Sequence, residues 1–97
     1  MSLDNFEKAK SLFDEGIEYS KQSNFILAEK KFLDSLNLLP ERLSIVGNLF
    51  TIYFNTNNNF RLKNLLDKYE KFSNEIEIIY GRAINFYFEK KYSDSIK

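Results

Sequence analysis

Carboxylates close together in sequence, Asp14-Glu15 and Glu75 with Glu77, are the groupings here whose residue types could support general acid–base chemistry. Such work needs two carboxyl groups converging on one substrate. Neighbours on a helix point about 100° apart, so Asp14 and Glu15 diverge. Glu75 and Glu77 fall where a helix is expected to begin, and negative charge there is favoured by the helix dipole. The chain has no histidine and no cysteine. The commonest general base, the most reactive nucleophile and the usual imidazole or thiolate metal ligands are therefore all missing. Its three glycines, Gly16, Gly47 and Gly81, are too far apart to form a phosphate-cradling loop. These residues predict a chain that is not an enzyme and carries no metal or cofactor.

Charge and composition narrow the partners. Formal net charge is zero over 97 residues. The densest basic pairs, Lys30-Lys31 and Lys90-Lys91, both have acids close by. Nucleic-acid binding needs clustered cations that displace counterions from phosphates, so it is not expected. The most apolar window, Ile45 to Phe54, is interrupted by Gly47, Asn48 and Thr51. It is far shorter than the roughly 20 residues that span a bilayer, so no membrane span is expected. The amino terminus lacks the basic-then-apolar plan of a secretory signal, and a cytoplasmic location follows. The length predicts one small domain.

Local signals predict helices throughout. Asp4 with Glu7 has the spacing of a capping box, and Phe6, Ala9, Phe13, Gly16 and Ile17 continue with helical period. Asn24 is placed to cap a second helix that buries Leu27, Ala28, Phe32, Ser35 and Leu36 and stops at Pro40. A third helix is expected from about Glu41 to Asn55, with the Asn-rich tract 55–59 as a turn. A fourth carries Leu62, Leu65, Leu66 and Tyr69. Asn74 with Glu77 predicts another capping box, for a fifth helix ending near Lys90, with a sixth starting near Tyr92. Ile45-Val46 and the stretch 76–80 are β-branched enough to read as strands. The caps and the recurrence described next weigh against that.

Leu12-x-x-Glu15-Gly16-x-x-Tyr19 is followed by Phe25, Ala28-x-x-x-Phe32, Ser35 and Pro40. This resembles one tetratricopeptide repeat, a helix–turn–helix unit of about 34 residues. The rest of the chain echoes it. Tyr19, Tyr53 and Phe86 recur at intervals of 34 and 33, as do Leu12, Val46 and Ile79. Gly16, Phe50 and Ala83 do the same, and so do Ala28, Leu62 and Ser95. The resemblance implies an all-α, right-handed solenoid of about three repeats, at 9–42, 43–75 and 76–97, the last truncated and part of a longer protein. It also accounts for Gly16 as a small residue where two helices cross.

In this family the first helix of each repeat lines a concave groove that holds a protein or peptide. The resemblance therefore implies a protein–protein interaction scaffold, whose groove residues include Phe13, Ile17, Asn48, Thr51, Phe54, Tyr80, Ile84 and Tyr87. One subgroup clamps a chaperone's terminal carboxylate with Lys, Asn and Arg. The clamp positions here hold Phe13, Ile17, Asn48, Glu77 and Gly81. Only Asn48 agrees, so that ligand is not expected. The alternative is that this is the amino-terminal repeat region of a larger bacterial enzyme, such as a glycosyltransferase or sulfotransferase, with catalysis outside the chain. A truncated third repeat would leave Tyr80, Ala83, Ile84 and Tyr87 short of a packing helix. That predicts either further residues beyond Lys97 or a homodimer through the carboxy-terminal repeat.

Overall fold

Two turns of the same construction, 34 residues apart, organise the first two thirds of the molecule. The structure, a computed structural model, describes residues 3–96. Helix α1 spans Leu3–Lys21 and α2 spans Phe25–Leu38. Between them Ser23 takes a left-handed conformation, with φ 59°. The Ser23 amide bonds to the Ser20 carbonyl at 2.9 Å, and the Asn24 amide to the Tyr19 carbonyl at 2.9 Å. This is a Schellman motif, which satisfies carbonyls that the end of α1 leaves free. Asn24 then caps α2 by accepting from the Leu27 amide.

The same construction joins α3, Leu43–Asn55, to α4, Asn59–Lys68. Asn57 has φ 57°, its amide reaches the Phe54 carbonyl, and the Asn58 amide reaches the Tyr53 carbonyl at 2.8 Å. Asn58 caps α4 through the Arg61 amide at 3.1 Å. Both expected inter-helix turns are therefore present.

The link from α2 to α3 is set by Pro40. Leu39, which precedes it, is forced out of helical geometry to φ −130°, ψ 74°, and α2 ends at Leu38. Glu41 lies outside α3. The Arg42 amide instead closes a turn onto the Leu39 carbonyl, so the helix starts two residues later than expected.

After α4 a 3-10 turn, Glu70–Phe72, leads into α5, Ile76–Ile96. No strand occurs among the described residues, and the β-branched tracts 45–46 and 76–80 lie inside α3 and α5. Helical spacing of their apolar residues prevails over local strand propensity.

Three expectations about helix ends need correction. Asp4 does not cap α1 but lies in its first turn, where its charge still meets the positive end of the dipole. Asn74 is one residue too early to cap α5; the Glu75 carbonyl accepts the amides of Ile78 and Ile79, which places the helix start at Ile76. No sixth helix begins near Tyr92, because α5 runs unbroken to Ile96. By the 33-residue interval that leads from Tyr53 to Phe86, Lys90 and Lys91 stand where the left-handed and capping residues would be. Lysine caps poorly and favours helix interiors, so the helix continues. Ser95, the third member of the Ala28 series, lies outside the residues whose side chains are described.

The helices form a slab 52 × 31 × 17 Å, its thin dimension less than two helix diameters. The most extensive contact is α1 on α2; α3 packs on α2, α4 and α5, and α4 on α5. Phe32, Val46, Leu49, Phe50 and Leu62 are fully enclosed, with Ile78 and Phe88 nearly so.

Two helix pairs approach through a glycine against a phenyl ring. Gly16 of α1 sits on Phe32 of α2, and a Cβ there would come within 2.7 Å of the ring. Gly81 of α5 sits on Phe50 of α3 in the same way. The buried Ser35 hydroxyl donates to the Ala9 carbonyl at 2.7 Å, and no buried side-chain polar atom among the described residues lacks a partner.

Candidate partner-binding surface

Helices α1, α3 and α5 each present an exposed side on which most of the sequence-expected residues fall. Between α1 and α3, Ile17 and Ser20 face Asn48, Thr51 and Asn55 across an open hollow of about 510 Å³. The Asn48 amide nitrogen donates to the Ser44 carbonyl of its own helix at 2.8 Å; an asparagine amide has a second hydrogen and a carbonyl oxygen besides.

From α3 to α5 the contact is polar at one end and aromatic at the other. The Thr51 hydroxyl bonds to the Gly47 carbonyl and lies 2.8 Å from the Tyr80 hydroxyl. One turn on, Phe54 meets Tyr87 edge to face at 5.6 Å between centroids, with Phe88 beneath both. Phe54, Tyr80 and Tyr87 stay between 41% and 49% exposed, which leaves part of each ring face free for another molecule. Ile17, Asn48, Thr51, Phe54, Tyr80 and Tyr87 thus form a chain of neighbours running from α1 to α5.

Two expected residues depart from that row. Phe13 packs on Phe32 at 5.5 Å and lines a separate hollow of about 230 Å³ near the amino-terminal end of α1. Ile84 is corrected outright: only 6% exposed, it belongs to the stripe Ile78, Gly81, Ile84 and Phe88. Its position one turn after Tyr80 turns it about 40° around the helix, enough to move it from the surface into the core.

The hollow at Phe13 brings in residues the sequence reading passed over. Phe6, Leu39 and Ile45 make its apolar wall, and Arg42 stands over the Phe6 ring at 5.5 Å. Lys10 is paired with Asp14 at 3.3 Å on its rim. Phe6 was visible in sequence as an apolar residue of the first helix. Arg42 carried no signal, because its arrival there depends on the turn after Pro40.

Displaced titrations mark ties between helices. Burial first, and then its bond to Glu29, push the Tyr53 hydroxyl well above its usual range. The Arg61 guanidinium and Lys31 ammonium are raised by hydrogen bonds to Glu29 and Glu15 respectively. Burial and the nearby Glu41 charge raise Tyr69, whose hydroxyl donates to the Pro40 carbonyl at 2.5 Å. These four groups join α1 to α2, α2 to α3 and α4, and α4 to the Pro40 turn.

Among the described residues no cluster of three or more carboxylates could hold a metal ion, and no helix is long and apolar enough to cross a membrane. No family model, curated protein or solved structure matches the chain.

Proposed function

We propose that this chain is a tetratricopeptide-like helical scaffold that binds a partly apolar peptide or protein segment along the row from Ile17 to Tyr87. The observation that carries the reading is the turn repeated 34 residues later, with a left-handed residue at the same place, Ser23 and then Asn57, and an asparagine cap after each. Two helix pairs built alike and set side by side are the unit from which right-handed solenoids are stacked. In that arrangement α1, α3 and α5 are the inner helices, and their exposed residues are the ones expected to meet a partner.

The chemistry of the row defines the partner. Three half-exposed aromatic rings suit apolar side chains, while the Asn48 carbonyl and the Thr51 and Tyr80 hydroxyls can pair with peptide groups. The reading needs no cofactor and assigns no catalysis to the chain.

Selection of random peptides on the folded protein tests it, with affinities then measured against variants. Peptides with two or more apolar positions should bind with Kd on the order of micromolar, and Phe54→Ala or Tyr87→Ala should weaken them about tenfold. Lys63→Ala, in α4 away from the row, should leave them unchanged. Selected peptides indifferent to Phe54 and Tyr87 would count against the reading, as would a failure to select any.

A further inference from the structure

Helix α5 is apolar on two sides, and only one of them is covered. Ile78, Gly81, Ile84 and Phe88 face the core, whereas Ile76, Ile79, Tyr80, Phe86 and Tyr87 are exposed by 76, 48, 41, 67 and 49%. At 100° per residue the exposed set spans an arc of about 120°, nearly opposite the buried stripe. Ala83, also exposed, lies at the centre of that arc and midway along it. A patch this continuous is a contact surface, since scattered apolar residues do not line up along one helix face.

We propose that this stripe pairs with the same stripe of a second copy, the two α5 helices antiparallel about a two-fold axis at Ala83. Large apolar residues stand at matching distances on either side of that residue. Three or four positions before Ala83 stand Tyr80 and Ile79; three or four after it stand Phe86 and Tyr87. A two-fold axis at Ala83 therefore sets Tyr80 against Phe86 and Ile79 against Tyr87, twice over. Alanine at the centre lets the axes approach to the lower end of the usual 8–10 Å range.

The ends agree as well. Ile76 opens the stripe, and the same axis brings Lys90 of the second copy beside it, the lysine stem covering the isoleucine. Its ammonium then lies on the side of Glu75, the acid just before the helix start. A parallel pair would instead stack the two Glu75–Glu77 ends together and the two Lys90-Lys91 ends together.

The area is sufficient. Five side chains, each exposing about half of roughly 200 Å², supply about 500 Å² per protomer. A symmetric pair thus removes on the order of 1,000 Å² from water, the lower bound for a specific association. Part of Tyr80 and Tyr87 is shared between this stripe and the peptide row. The pairing does not depend on the peptide-binding reading, because its test reads mass rather than affinity for peptides.

Sedimentation of the full chain from about 1 to 100 µM should show a monomer passing to a dimer. Ala83→Glu sets two like charges against each other at the axis and should stay monomeric with unchanged helix content. The chain contains no cysteine, so single-cysteine variants report the geometry directly. Under mild oxidation Ala83→Cys should cross-link to itself, and Ile76→Cys should cross-link with Lys90→Cys but not with itself. A wild-type chain monomeric throughout overturns the proposal, whether or not an added amphipathic helix binds it. So does a dimer that survives Ala83→Glu, or Ile76→Cys joining itself as readily as it joins Lys90→Cys.

Discussion

The Tyr53 hydroxyl donates to the Glu29 carboxylate at 2.8 Å, and that one bond ties α3 to α2. Arg61 of α4 reaches the same carboxylate at 2.6 and 2.7 Å. One acid thus holds three helices, with its side chain only 15% exposed. Such partly desolvated, charge-assisted bonds contribute more than a surface ion pair.

Removing the acceptor is expected to cost more than removing the donor. Tyr53→Phe loses one hydrogen bond while Glu29 keeps Arg61, for a loss of about 1 kcal/mol. Glu29→Ala leaves a largely buried hydroxyl without its partner, for a loss of about 2–3 kcal/mol. Denaturant melts of the two variants check the order. Equal losses would mean that the Tyr53 hydroxyl finds water once Glu29 is gone.

Alkaline pH should expose the same bond. The folded-state pKa of Tyr53 is raised above the ordinary value of 10.0, by burial first and by Glu29 second. The unfolded chain therefore releases this proton at lower pH than the folded chain does. The contribution is fully present below pH 10 and is lost as pH rises through the folded value. Stability measured from pH 9 upward should fall more steeply in the wild type than in Tyr53→Phe. Superimposable pH curves would remove Tyr53 as the cause.

Glycines that look alike in sequence should respond differently to alanine. At Gly81 a Cβ would meet the Phe50 ring at 2.7 Å from Cζ, and that ring is fully enclosed by its neighbours. Gly81→Ala is expected to destabilise by about 1–3 kcal/mol, and Gly16→Ala similarly through Phe32. At Gly47 the nearest atom would be the Glu77 Cγ at 3.4 Å, part of a flexible side chain. There the better helix propensity of alanine should dominate, giving a gain of about 0.5–1 kcal/mol. Thermal melts of the three variants decide it, and a destabilised Gly47→Ala would show that α3 and α5 are closer than described.

Much of the fold was legible because its signals are local. Asn24 announces a helix start by standing immediately before an apolar run of helical period, the Asn-rich tract 55–59 marks the next turn, and Pro40 ends α2 wherever its neighbours pack. The extent of α5 was not legible. Tyr92-Ser93-Asp94 resembles the turn at Ser23-Asn24, and the difference rests on Lys90 and Lys91, which supply neither a left-handed residue nor a cap. Ile84 was misplaced for a related reason. With apolar residues on two sides of α5, period alone does not say which side meets the core; Gly81 against Phe50 decides that, and this contact joins residues 31 apart. In the surface row, Thr51 and Tyr80 could be named from sequence, but their 2.8 Å contact needed the packing of α3 on α5.

The paired turns offer the most direct test of shared construction. Ser23 and Asn57 both hold positive φ, which a side chain tolerates poorly and glycine adopts freely. Ser23→Gly and Asn57→Gly should each be neutral or stabilising by a few tenths of a kcal/mol, the serine site gaining more because asparagine already favours this region. Valine at either site should cost about 1–2 kcal/mol, since a branched Cβ crowds the backbone in that conformation. The capping asparagines act separately: Asn24→Ala and Asn58→Ala should each cost about 1 kcal/mol. Because the two turns lie in different helix pairs, the double variant Asn24→Ala/Asn58→Ala should lose the sum of the single losses within about 0.5 kcal/mol. Chemical denaturation of the set measures all of this. Valine tolerated at position 57 but not at 23, or capping losses that differ severalfold, would show that the turns only look alike and that the 34-residue spacing carries no common structure.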